Sequence, residues 1–138
     1  MGKVIGIDYG LKRVGIAISD ETKTISFPRE TVPTEKFPQY LSTMLEENKV
    51  DAIVFGYPLS LSGKGNEMTN RIDNQINKIS QRNPELLIDT QDERFSSVEA
   101  YDAIKKSSLS KESRKDKSKV DQVSASIILD TYLKKLST

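Results

Sequence analysis

The sequence predicts an α/β fold: a mixed five-stranded sheet with helices on both faces. Three observations lead there. An antiparallel strand pair opens the chain, strand–helix–strand units follow it, and apolar residues at helical spacing close it.

Val4-Ile5-Gly6-Ile7-Asp8 and Val14-Gly15-Ile16-Ala17-Ile18 read as the first two strands, and the short segment from Tyr9 to Arg13, with Gly10, makes them a hairpin. Asp20-Glu21 starts the next turn. Thr24 to Val32 predicts a third strand, and Pro28 within it demands an edge or a bulge, because proline donates no ladder hydrogen bond. Phe37, Tyr40, Leu41, Met44 and Leu45 then recur at helical spacing. Val50 to Gly56 is a buried strand, stopped by Gly56 and Pro58. After a Ser/Gly-rich loop from Ser60 to Asn66, Met68, Ile72, Ile76 and Ile79 form the stripe of a second helix, which Pro84 ends. Leu86 to Asp89 gives a short strand, and Val98, Tyr101 and Ile104 mark a third helix. The last helix is expected to begin near Val120 and carries Val123, Ile127, Ile128 and Leu133.

Residues 107–119 read as a flexible basic loop with Leu109 its only apolar residue. No repeat or linker divides the chain, so one domain over residues 1–138 is expected. This order of elements is the RNase H-like topology. It is also roughly that of one half of an actin or sugar-kinase ATPase, so topology alone does not choose between a nuclease and a nucleotide-binding protein.

Composition narrows the chemistry. The chain holds no cysteine and no histidine. Disulfides, thiolate nucleophiles, Ser-His-Asp triads and cysteine-based zinc sites are thereby excluded. A metal held by carboxylates alone is a hard cation, Mg²⁺ or Mn²⁺ before Zn²⁺. The longest apolar runs, such as Ala52-Ile53-Val54-Phe55, are far too short to span a bilayer, and the N-terminus enters a strand pattern directly, so a cytoplasmic protein is expected. Net charge is only +1, yet Lys105, Lys106, Lys111, Arg114, Lys115, Lys117 and Lys119 crowd one segment against Glu112 and Asp116.

Three acids fall where the predicted sheet has an edge. Asp8 ends an apolar strand, either as an acid turning into the hairpin or as a metal ligand at the sheet's rim. Asp92-Glu93-Arg94 follows the Leu86–Asp89 strand, either as a solvated cluster ahead of the Ser96 helix cap or as part of a site. Asp121 shares a helical face with Ala125, Ile128, Leu129 and Tyr132, which aims it at the sheet. A carboxylate so placed needs a partner, and a divalent cation or Arg94 are the two candidates. Lys12 and Arg13 in the hairpin turn are either ordinary solvated turn residues or phosphate contacts. The lysine-rich loop is open to the same pair of readings.

The motifs resemble the YqgF, or RuvX, family, described as Holliday junction resolvases and more recently as pre-16S rRNA nucleases. Gly6-Ile7-Asp8-Tyr9-Gly10-Leu11-Lys12-Arg13-Val14-Gly15-Ile16-Ala17 is similar to its opening hairpin, and Val54-Phe55-Gly56-Tyr57-Pro58-Leu59 with Gly63 to its glycine-proline loop. Asp92-Glu93-Arg94-Phe95-Ser96-Ser97-Val98-Glu99-Ala100 and Lys119-Val120-Asp121-Gln122-Val123-Ser124-Ala125-Ser126-Ile127-Ile128-Leu129 resemble its acid-arginine segment and final helix. Tyr57 and Phe95 depart from the aliphatic residues expected there. The resemblance implies an RNase H-like metal-dependent nuclease, with Asp8, Glu93 and Asp121 as catalytic, metal-holding acids and Mg²⁺ or Mn²⁺ as cofactor. The preference for Glu93 over Asp92 comes from the family pattern. Lys12, Arg13, Arg94, Lys111, Arg114, Lys115 and Lys117 are the expected nucleic-acid contacts. The implied substrate is the 5′ end of precursor 16S rRNA. The alternatives are a four-way DNA junction, or nucleic-acid binding with little cleavage. An ATPase of the actin type would need a second Asp-x-Gly turn in a second domain, and the chain has neither.

Overall fold

The computed structural model describes residues 2–58, 65–92 and 117–136. Five strands form one sheet in the order β3-β2-β1-β4-β5. They are β1 (Lys3–Tyr9), β2 (Arg13–Ser19), β3 (Ser26–Pro33), β4 (Val50–Tyr57) and β5 (Leu87–Asp92). β1 pairs antiparallel with β2, and β2 with β3, while β4 runs parallel to both β1 and β5. Among the described residues three α-helices pack on the sheet: α1 (Phe37–Glu47), α2 (Glu67–Arg82) and α3 (Lys117–Leu136). The expected α/β architecture is present. The helix expected around Val98 to Ile104 lies outside the described residues.

Alternation along each strand sends residues to two different helical layers. Ile5, Ile7, Val14, Ile16, Ile18, Ile53 and Phe55 meet Phe37, Leu41 and Met44 of α1 and Ile72 and Ile79 of α2, all buried. Each such side chain contributes roughly 1.5–3 kcal/mol of hydrophobic stabilisation. Tyr9, Phe37 and Phe55 stack edge-on or tilted in the middle of that layer, with ring centroids 5.7–6.4 Å apart. The opposite face is built from smaller residues: Val4, Ala17, Ala52 and Val54 pack against Ala125, Ile128, Leu129, Tyr132 and Leu133 of α3.

β3 lies at the sheet's edge, and its register with β2 shifts between Ile16 and Ala17, opposite Glu30 and Pro28. Pro28 therefore sits both on an edge strand and at a bulge, two of the places where a strand tolerates proline. α2 starts at a capping box in which the Asn66 side chain accepts from the Thr69 amide at 3.1 Å and the Thr69 hydroxyl accepts from the Asn66 amide at 2.8 Å.

The main differences from the sequence reading lie in α3 and β5. α3 already includes Lys117, so residues 117–119 belong to a helix rather than to the basic loop. β5 runs on to Asp92 instead of stopping at Asp89, because its backbone keeps pairing with β4 as far as Tyr57. In α3, Val123 and Ile127 are only partly buried, whereas Ala125, Ile128, Leu129, Tyr132 and Leu133 carry the packing. Among the described residues no helix is long and apolar enough to cross a membrane.

Candidate active site

β1 sends Val4, Gly6 and Asp8 to the α3 face and Ile5, Ile7 and Tyr9 to the other. Asp8 pairs in register with Gly15 of β2, and Gly6 with Ala17. These two glycines set the position of α3. A Cβ on Gly15 would stand 2.2 Å from the Asp121 carbonyl oxygen, and one on Gly6 would stand 2.7 Å from the Leu129 Cβ and 2.9 Å from the Ala125 carbonyl oxygen. Only glycine lets the helix backbone come so close. Asp121, Ala125 and Leu129, four residues apart, form the helix ridge that settles into this shallow seam.

Further contacts fix the helix along its length. Ser26 Oγ donates to the Ser126 carbonyl at 3.0 Å, tying α3 to β3. At the other side Tyr132 meets Asp89 of β5, and burial together with that carboxylate raises the tyrosine's pKa. The consequence is local: Asp121, on the first full turns of α3, is brought beside Asp8 near the end of β1.

The two carboxylates sense one another. Burial, and then the negative charge of Asp121, push the Asp8 carboxyl up to about 7 from an ordinary value of 3.8. Asp121 is compensated by Arg13, the first residue of β2, whose Nε donates to Asp121 Oδ2 at 2.7 Å. The Arg13 and Asp121 side chains are 41% and 24% exposed, so the pair contributes at most about 1 kcal/mol to stability.

This pairing is the main contact in the candidate site that the sequence reading missed. It assigned Asp121 a choice between a cation and Arg94, and placed Arg13 in the turn near Asp8. Arg13 and Asp121 are 108 positions apart, and no local pattern links them. The sequence carries a signal for the close helix packing that brings them together, though not for the pair itself. Isolated glycines inside two adjacent strands announce a close backbone approach on that face.

Lys12 is exposed in the β1–β2 turn, next to Arg13. Its carbonyl accepts from the Thr34 amide at 3.0 Å, while Thr34 Oγ1 donates to the Gly10 carbonyl at 2.8 Å. The turn is thus anchored to the end of β3. In β5, Leu87 pairs with Ala52 and Gln91 with Gly56, so Leu87, Asp89 and Gln91 share the α3 face, and Asp92, opposite Tyr57, takes the other. Glu93, Arg94, Lys111, Arg114 and Lys115 lie outside the described residues, and only the helical backbone of Lys117 is described. Among the described residues no cluster of three or more metal-ligating side chains forms, and Asp8 and Asp121 are the two acids brought together on this face.

Residues 2–135 match the family model described as "RuvX: Holliday junction resolvase". The chain belongs to the RuvX family. Curated RuvX-type relatives named "Putative pre-16S rRNA nuclease" are similar over nearly the whole chain. The Bacteroides thetaiotaomicron protein is 36% identical over 133 residues, 96% of either chain. That of Flavobacterium johnsoniae is 35% identical over the same length and the same shares. That of Chlorobaculum tepidum is 35% identical over 131 residues, 95% of this chain and 92% of its own. Among solved structures, T. thermophilus RuvC in complex with a Holliday junction substrate superposes with a TM-score of 0.55 at 13% identity, covering 98% of this chain and 96% of its own. That likeness confirms the RNase H-like fold of this RuvX-family chain.

Proposed function

We propose that this RuvX-family protein is a metal-dependent nuclease that hydrolyses phosphodiester bonds at the 5′ end of precursor 16S rRNA in the cytoplasm. The observation that carries the reading is the pair Asp8 and Asp121, held side by side on one face of the sheet by glycine-permitted helix packing. The relatives' name supplies the rRNA substrate. The description of the matched model makes a four-way DNA junction the second substrate to test.

The donor set suits a hard cation. Burial, and after it the charge of Asp121, raise the Asp8 pKa to about 7, and a divalent cation held by both carboxylates relieves that strain. Asp8 and Asp121 would hold Mg²⁺ or Mn²⁺ together with Glu93. Asp92 is turned to the opposite face by the alternation of β5, which favours Glu93 as the acid of that pair. When bound, such cations polarise the scissile phosphate and lower the pKa of a coordinated water. The protein's own contribution is to keep the carboxylates converged and to grip neighbouring phosphates through Lys12, Arg13, Arg94, Lys111, Arg114, Lys115 and Lys117.

Labelled precursor rRNA and a synthetic four-way junction, incubated side by side with Mg²⁺ or Mn²⁺, test the proposal. Cleavage should require the cation and should vanish in Asp8→Asn, Glu93→Gln and Asp121→Asn, each still folded by circular dichroism. Near-wild-type cleavage by any one variant removes that residue from the site. Binding of both substrates with no cleavage by the wild type under any divalent cation leaves a nucleic-acid-binding protein instead.

A further inference from the structure

We infer that Arg13 is the internal counter-ion of the acid site: it holds Asp121 while no divalent cation is bound, and releases it when one enters, freeing the guanidinium for the substrate phosphate. The inference rests on the metal-dependent nuclease reading above.

The geometry separates a fixed backbone from a movable side chain. The Arg13 carbonyl accepts from the Gly10 amide at 2.9 Å, and Thr34 anchors the same turn through the Lys12 and Gly10 carbonyls. The side chain beyond this anchor is 41% exposed and reaches Asp121 through Nε, so it can change partners without moving β2. Arginine is suited to both partners, because its charge is permanent and its fork matches carboxylate and phosphate alike.

Electrostatics sets the direction of the exchange. A guanidinium bound to one oxygen of a would-be ligand neutralises the charge that draws a cation in. Once a dication is present about 5 Å away, repulsion from the guanidinium weakens its binding on the order of tenfold even at the dielectric constant of water. Moving the guanidinium toward a phosphate removes this repulsion and supplies a charge-assisted contact on the substrate. A pair serving only to dock α3 on β2 would have no reason to loosen when the cation arrives.

The two roles give opposite results in calorimetry with Mn²⁺ alone. Arg13→Gln should bind Mn²⁺ about three- to tenfold more tightly than wild type, because an internal competitor has been removed. Arg13→Lys keeps the charge and should stay close to wild type. Without metal, Arg13→Gln should melt below wild type, and that gap should narrow at saturating Mn²⁺, as the thermodynamic cycle requires. Equal or weaker Mn²⁺ binding by Arg13→Gln overturns the inference and makes Arg13 a residue that orients Asp121 for the metal. Should that variant not fold, the wild type still decides. The Arg13 Nε–H resonance should be protected from solvent exchange in the metal-free protein and lose protection on Mg²⁺ saturation. Protection that persists also overturns it. A wild type that binds no Mn²⁺ at all sinks the metal-site reading itself, a different failure from binding without exchange.

Discussion

The two faces of the sheet are built from the same strands and do different things. On the face covered by α1 and α2, Ile5, Ile7, Ile16, Ile53, Phe37 and Phe55 fill a thick layer of large side chains. On the face covered by α3, Gly6, Gly15, Ala17, Ala52 and Ala125 leave so little between sheet and helix that backbone meets backbone. A thick layer buries much apolar area and holds its helices at a distance. A thin one contributes less burial and brings a helix close enough for Asp121 to face Asp8. The fold thus places most of the bulky core on one face and the two candidate acids on the other, and the alternation of side chains along β1 and β2 is what keeps the two apart.

The largest expected effect is on the thick face. Phe55→Ala removes a fully buried ring that packs on both Tyr9 and Phe37, and should cost about 3–5 kcal/mol in urea unfolding. Below its new melting point, cleavage per folded molecule should remain close to wild type. A loss of cleavage without a loss of stability would reverse the assignment of the two faces.

Gly15→Ala inverts that pattern. The new Cβ would meet the Asp121 carbonyl, so α3 must move away from β2, at a cost of about 1–3 kcal/mol. Displacing one carboxylate by the order of an ångström should lower cleavage about 100-fold in protein that is still folded. Gly6→Ala is the control, since its neighbours are Ala125 and Leu129, one and two turns beyond Asp121. It should cost similar stability and leave more activity. Equal cleavage by both glycine variants would show that the seam has no special point at Asp121.

How legible this was follows from which interactions are local. The hairpin, the edge position of Pro28 and the helical stripes of α1 and α2 are written in spacings of two to four residues, and the structure has them. The inward aim of Asp121 was readable from its offsets to Ala125, Ile128, Leu129 and Tyr132, all four of which are buried. The extent of β5 was not readable, because Gln91 and Asp92 carry no strand signal of their own and β4 holds them through backbone pairing. Nor was Arg13–Asp121, where two charged residues meet only after β2 and α3 are already packed. The sequence offered Arg94 because it stood next to an acid, and adjacency in sequence is a poor guide to which charges meet across a seam.

The smallest effect expected tests the thin face through its electrostatics. Asp8 holds its proton up to about 7 in the folded protein, against an ordinary carboxylate value of 3.8. Between those two values the native state binds a proton that the unfolded chain has lost, so stability falls as pH rises across that window and is level above it. Asp8→Asn is neutral throughout and lacks this slope. Wild type and variant should therefore have similar stability near pH 4 and diverge up to about pH 7. There the variant should be more stable by on the order of 1–2 kcal/mol, a value discounted from the full shift because the site is partly open to water. Mg²⁺ favours the ionised carboxylate and should flatten the wild-type slope while leaving Asp8→Asn almost unchanged. Chemical denaturation at four or five pH values, with and without Mg²⁺, measures all of this. A wild type whose stability rises between pH 4 and 7 in step with the variant would mean that Asp8 is ionised without strain, and that the α3 face does not set the two carboxylates against each other.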